Sequence, residues 1–164
     1  SMEIKAGEIL FVDTNVLLVA TDESRPHHRE AKALFASVGA SGYHLALSGQ
    51  ILREYLVVAT RAVQDNGLGL SVDQALGNLA AFARRAVFYD ENEAVSLRLR
   101  ALCAGGRLKG KRLHDASVAA TLLAHGLSTL ITENPRDFQE FAEVKTVGLH
   151  ALRPVTGGAA PARE

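Results

Sequence analysis

Apolar residues fall in short unbroken runs separated by charged or glycine-rich stretches, and only some of them recur at helical spacing. The first run, Ile9-Leu10-Phe11-Val12, passes directly into Asp13-Thr14-Asn15, and a second begins at Val16. Continuous apolar character without alternation predicts a strand buried on both faces, as in a parallel sheet covered by helices. The helix that follows breaks over residues 21–26, and Pro26 suits the first turn of the next one, where a missing N–H costs little. Residues 27–38 carry Ala31, Leu34, Phe35 and Val38 on one helical stripe. His27 and His28 fall in its first turn and point apart, which reads as a solvated helix start rather than a metal pair. The glycines of residues 39–42 end it.

The same reading continues along the chain. Residues 43–47 predict a second strand, and Ser48 is the N-cap of a helix carrying Ile51, Leu52, Tyr55, Leu56, Val58 and Ala59. After a break at 65–69, a helix from Ser71 places Val72, Ala75, Leu76, Leu79, Phe82 and Ala83 on one side. Residues 87–89 predict a strand, and 91–104 a helix using Ala94, Val95, Leu97 and Leu102. Residues 105–112 hold Gly105, Gly106, Gly110, Arg107, Lys109, Lys111 and Arg112, a mobile, positive loop. An alanine-rich helix over 116–125 stops at Gly126. A strand at 128–132, a short helix at 134–138 and a strand at 144–149 complete the pattern. Alternating strands and helices predict an α/β fold, an α/β/α sandwich with a mostly parallel central sheet of four or five strands. No strand precedes residue 116, so two or three helices must pack together there. Periodicity says nothing of strand order.

Composition narrows the class. The 164 residues are 48% hydrophobic and carry 18 basic and 18 acidic side chains, which fits one packed domain of zero net charge. The balance argues against a broad nucleic-acid or membrane surface but leaves room for a local basic patch. The single cysteine, Cys103, excludes an intrachain disulfide, fits a reducing cytoplasm, and reads as a small buried hydrophobe. No apolar run reaches the length of a membrane span and no signal peptide is visible. The expected domain covers residues 2–152, with a disordered tail over 153–164 rich in Gly, Ala and Pro.

Four acids stand where helix and strand chemistry does not account for all of them. Asp13 ends the first strand, where it is either a helix cap or a catalytic acid. Glu54 lies too far into its helix for a capping box. Asp115 opens a helix behind the basic loop, and Asp137 follows the 132–134 turn. If they converge, two like charges at 4 Å cost on the order of 4 kcal/mol at an effective dielectric of ~20. Protonation or a cation relieves that repulsion, and all-oxygen donors favour Mg²⁺ or Mn²⁺ over zinc. An ion so held can activate water and stabilise charge on a phosphoryl oxygen.

These segments carry a resemblance. Asp13-Thr14-Asn15-Val16-Leu17-Leu18 is similar to the opening motif of PIN-domain nucleases, and Ser48-Gly49-Gln50-Ile51-Leu52-Arg53-Glu54 resembles their second. Leu113-His114-Asp115-Ala116 resembles the third, and Thr132-Glu133-Asn134-Pro135-Arg136-Asp137-Phe138 the fourth. The resemblance covers about residues 8–150 in the family's order and approximate spacing, and chain length and the run of small helices look most similar to the VapC-type toxins of bacterial toxin–antitoxin pairs. The resemblance implies a PIN-like fold and a Mg²⁺- or Mn²⁺-dependent endoribonuclease that is a homodimer held inactive by a small antitoxin. It assigns Asp13, Glu54, Asp115 and Asp137 as catalytic, metal-binding acids, with Asn15, Thr132 and Asn134 in support. Glu133 stands at a variable site and is not counted as a ligand.

Arg107, Lys109, Lys111 and Arg112 are candidate RNA contacts, set against the simpler reading of a solvated loop. His114 reads as a structural histidine at a helix start rather than a general acid. Two alternatives stay open. One is a catalytically idle PIN module that binds RNA or a protein partner, against which all four acids are present. The other is a phosphatase-like phosphoryl-transfer enzyme, disfavoured because Asn15 stands where a second Asp is expected.

Overall fold

The first apolar run forms the middle strand of the sheet. The computed structural model describes residues 3–155, and β1 (Ile9–Val12) is buried over its last three positions. β2 (His44–Ser48) and β3 (Val87–Tyr89) lie to one side of it, and β4 (Thr129–Ile131) and β5 (Lys145–Val147) to the other. The order is β3-β2-β1-β4-β5, and every pairing is parallel. The expected α/β fold is therefore present in its five-stranded, all-parallel form. The chain winds outward from β1 through β2 to β3 and then returns to lay β4 on the opposite side of β1. That reversal opens a crevice at the carboxyl ends of β1 and β4, the place where open α/β sheets bind ligands.

Seven helices flank the sheet among the described residues. α1 (Thr14–Thr21) is apolar almost all round and buries Val16, Leu17, Leu18, Val19 and Ala20. It packs on α2 (His28–Ala36) and α4 (Gly49–Thr60), and α4 in turn packs on α5 (Val72–Ala83). The α1 to α4 contact matters for the site, because it sets Thr14 beside Glu54. The one-turn α3 (Val38–Ser41) ends at Gly42, whose φ of 84° only a residue without Cβ adopts easily. α6 (Glu93–Cys103) and α7 (Arg112–Ala124) follow each other with no strand between and pack together, the helical insertion expected before residue 116.

Several expectations need correction. α7 begins at Arg112, not at 116, so Arg112 and Asp115 both lie in its first turn. α5 has a complete capping box, Ser71 with Gln74, but its buried residues are Ala75 and Leu79, while Val72 and Leu76 are exposed. Leu97 of α6 is exposed too, and Val95 is the residue that helix buries. β3, for which the sequence set no place in the sheet, is an edge strand with Val87 and Phe88 exposed. Beyond residue 152, the Val155 amide donates to the Ser41 carbonyl at 2.7 Å. The rest of the expected tail, 156–164, lies outside the described residues. No described helix is long and apolar enough to cross a membrane.

Candidate active site

Asp13 is the helix cap its position allowed, and it also holds contacts beyond that cap. Its backbone is extended and its side chain caps α1, with Oδ1 accepting from the Thr14 amide at 2.8 Å. Oδ2 accepts from the Thr132 hydroxyl at 2.8 Å and from Asn15 Nδ2 at 3.2 Å. Thr132 follows β4, which pairs directly with β1, so the parallel register delivers its hydroxyl to Asp13. That hydroxyl also accepts from Asn15 Nδ2 (3.3 Å) and from the Asn134 amide (3.0 Å), while Asn15 Oδ1 accepts from the Glu133 amide at 3.2 Å. Asn15 and Thr132 thus support Asp13 through their side chains, whereas Asn134 contributes its main chain. The Glu133 side chain turns to the Leu149 amide at 2.9 Å.

Glu54 reaches the same place from α4. Its Oε2 accepts from the Thr14 hydroxyl at 3.0 Å, and Oε1 accepts from Gln50 Nε2 at 2.8 Å, one helical turn earlier. Ser48 occupies the N-cap position of α4 without making a side-chain cap. The acceptor there is Glu91, whose Oε2 takes the Gln50 amide at 3.1 Å. His114 Nδ1 lies 3.7 Å from Glu54 Oε1, but the ring is 73% exposed, so the structural contribution of this residue is its carbonyl, which accepts from Gln50 Nε2 at 3.0 Å.

The electrostatics bind the acids into one group. Burial pushes the Asp13 carboxyl up to about 6, the nearby charges of Glu54 and Asp115 push the same way, and the Thr132 and Thr14 hydrogen bonds only partly oppose them. Asp115 is raised by burial first, then by the charges of Asp137 and Glu54, with Arg112 and His114 pulling it down. Glu54, Asp115 and Asp137 keep side-chain exposures of 33%, 26% and 45%.

With this geometry in place, the comparisons with known proteins decide the family. The PIN domain family model matches residues 10–144. The chain belongs to the PIN domain family. It is 31% identical over 139 residues to "Ribonuclease VapC24" of Mycobacterium tuberculosis, covering 81% of this chain and 91% of that one. A toxin–antitoxin complex from Klebsiella pneumoniae is 26% identical, with a TM-score of 0.55 over 84% of this chain and 96% of the other. VapBC2 from Rickettsia felis, solved with a DNA fragment from its promoter, is 18% identical with a TM-score of 0.64, over 85% and 98% of the two chains. This PIN domain is a distant homologue of the VapC ribonuclease toxins.

The positive loop divides in two. Arg107, Lys109 and Lys111 are exposed. Arg112 instead turns into the acids, with its guanidinium 3.8 Å from Asp115, 3.6 Å from Asp137 and 3.5 Å from Glu140. PIN nucleases generally use divalent metal ions. The donor chemistry of this PIN domain fits one: oxygen ligands throughout, and two carboxylates, Asp13 and Asp115, raised by burial first and then by neighbouring acidic charges. The fit is one of donor type rather than finished geometry, because among the described residues no three such groups stand close enough to enclose an ion.

Two participants had escaped the motif reading. Thr14 is the hydroxyl that joins Glu54 to the start of α1, and Gln50 is the amide that joins Glu54 to α7. The available signal was spacing, since Gln50 precedes Glu54 by four residues and so shares its helical face.

Proposed function

We propose that this PIN domain is a Mg²⁺- or Mn²⁺-dependent endoribonuclease, the toxin of a toxin–antitoxin pair. The observation that carries the reading is the Asp13 carboxyl at the sheet's switch point, held by Thr132 and Asn15 with Glu54 tied to Thr14 beside it, and raised to about 6 by burial and by the charges of Glu54 and Asp115. A 31% identical relative named as a ribonuclease supports the choice of RNA. Asp13, Glu54, Asp115 and Asp137 would hold the ion. When bound, it supplies the positive charge that favours a hydroxide nucleophile and stabilises negative charge on a phosphoryl oxygen.

The protein's own groups do the rest. Thr132 and Asn15 fix the rotamer of Asp13, and Thr14 fixes Glu54 relative to it, so both carboxylates are oriented before substrate arrives. Arg107, Lys109 and Lys111 offer charge to the phosphates of a single-stranded or looped RNA. A phosphatase-like reading fits less well, because the Asn15 amide donates to Asp13 and serves as its support. The toxin–antitoxin complex among the structural relatives favours a small antitoxin as partner, and the family resemblance a homodimer.

A specific observation favours one second reading, the idle module. Arg112 already neutralises part of the Asp115 and Asp137 charge, and no three acids enclose an ion as they stand. Cleavage of a structured RNA by wild type, Asp13→Asn and Asp115→Asn, each checked for fold by circular dichroism, separates the two. The expected result is metal-dependent cleavage by wild type and its loss, by a hundredfold or more, in both variants. Activity within a few-fold of wild type in either variant contradicts the assignment.

A further inference from the structure

Gln50 is 5% exposed and sits at the second position of α4, among buried neighbours that include Ile51. Its Nε2 donates twice, to Glu54 Oε1 at 2.8 Å and to the His114 carbonyl at 3.0 Å. Both partners are pure acceptors, so the amide cannot be turned round: its oxygen would then face two oxygens. In the orientation this forces, Gln50 Oε1 is buried without a hydrogen-bond partner among the described residues. A buried orphan acceptor is a cost that Leu or Met of similar size would not carry. The amide therefore owes its place to what Nε2 does, not to the space the side chain fills.

Nε2 ties Glu54 to the backbone of the residue before Asp115, two segments that no backbone pairing relates. Glu54 lies on α4, while His114 immediately precedes Asp115 in the first turn of α7. α7 enters through the glycine-containing stretch 104–111, which is exposed except for the half-buried Leu108 and supplies no strand to fix its first turn. We propose that Gln50 is a positioning residue: its amide clamps Glu54 to the first turn of α7 and so sets the spacing of Glu54 and Asp115 for the divalent ion. This rests on the function proposed above. One donor group holding both ends transmits any shift of α7 to Glu54, and removal of that donor frees the two acids to separate under their own repulsion.

The test compares Gln50→Met, which keeps the volume and drops the amide, with Gln50→Glu, which keeps the shape but replaces the donor by an acceptor. Mn²⁺ binding is read without RNA, from the loss of the free-ion electron paramagnetic resonance signal, alongside the Mn²⁺ dependence of RNA cleavage. Wild type is expected to bind Mn²⁺ and cleave. Gln50→Met is expected to bind at least tenfold more weakly, with half-maximal cleavage displaced to correspondingly higher Mn²⁺ and a smaller change in KM for RNA. It should unfold within a few degrees of wild type. Gln50→Glu should share the cleavage defect despite its extra carboxylate.

Wild-type affinity in a folded Gln50→Met protein would overturn the inference while leaving the nuclease reading intact. A wild type that neither binds Mn²⁺ nor cleaves RNA would overturn both. Should Gln50→Met unfold, Gln50→Glu decides, and wild-type cleavage there at unchanged Mn²⁺ dependence would equally refute the clamp.

Discussion

Asp13 shows how one carboxylate can serve fold and site together, and at what cost. Oδ1 caps α1 and Oδ2 collects Thr132 and Asn15, yet burial and two acidic neighbours still hold the proton on up to about pH 6. The folded state therefore binds that proton more tightly than the unfolded chain, whose ordinary value is 3.8. Stability from this group is complete below about pH 4 and is lost as pH rises toward 6, by about 3 kcal/mol at most. Asp13→Asn cannot titrate, so in metal-free buffer its stability relative to wild type should rise across that window. Urea denaturation of both proteins at pH 4 and pH 7 measures it. A difference between them that stays constant with pH would mean the carboxyl is not raised.

The same residue marks how much was readable beforehand. Asp13 and Asn15 follow an unbroken apolar run, so their place at the end of β1 followed from pattern, whereas the pattern makes Thr132 the last residue of a strand that in fact ends at Ile131. Gln50 did not stand out, because a glutamine within an apolar helical face has no signature until its two acceptors are known to face it. Arg112 was misplaced for a related reason. Its sequence neighbours are glycines and lysines, but its partners are Asp137 and Glu140, far along the chain.

Among elements, α7 and the loop before it decide what the basic residues can do. With Arg112 drawn into the acids, Arg107, Lys109 and Lys111 remain exposed and available to phosphate. Each phosphate neutralised on a single strand contributes about −0.7 to the slope of log affinity against log salt. Lys109→Gln combined with Lys111→Gln should therefore flatten the slope by roughly 1.4 if both contact RNA. An unchanged slope would leave them as solvated residues. Arg112→Gln should behave differently. Its ion pairs are long and partly exposed, so stability should change by less than about 1 kcal/mol. Loss of its charge beside Asp115 and Asp137 should strengthen Mn²⁺ binding several-fold, and weaker binding by isothermal titration would contradict its role as counter-ion.

Element faces were legible only where burial was complete. The stripe of α5 included Val72 and Leu76, which the structure leaves in solvent, because a helix at the periphery buries a narrower face than its apolar content offers. β3 lies at an edge, which no run of three residues could reveal, since it carries no information about its neighbours. The start of α7 at Arg112 was hidden by its charge and by the glycines before it.

For the whole molecule, the order β3-β2-β1-β4-β5 is what turns scattered acids into neighbours. Periodicity could not supply that order, since it depends on long-range pairing. It puts the ends of β1 and β4 side by side, and α1 and α4 then carry Glu54 to the same edge. The central claim is that Asp13, Glu54, Asp115 and Asp137 constitute one cation site.

The most direct test is the thermal melting of wild type and Asp13→Asn at neutral pH with and without Mn²⁺. An ion that binds only the native protein stabilises it by ~2.7 kcal/mol at a hundredfold excess over Kd. For a domain of this size that is roughly 5–10 °C in Tm. Wild type should gain such a shift, and Asp13→Asn should gain much less. A wild type indifferent to Mn²⁺, or an Asp13→Asn variant that responds equally, would mean that these four acids do not form one site.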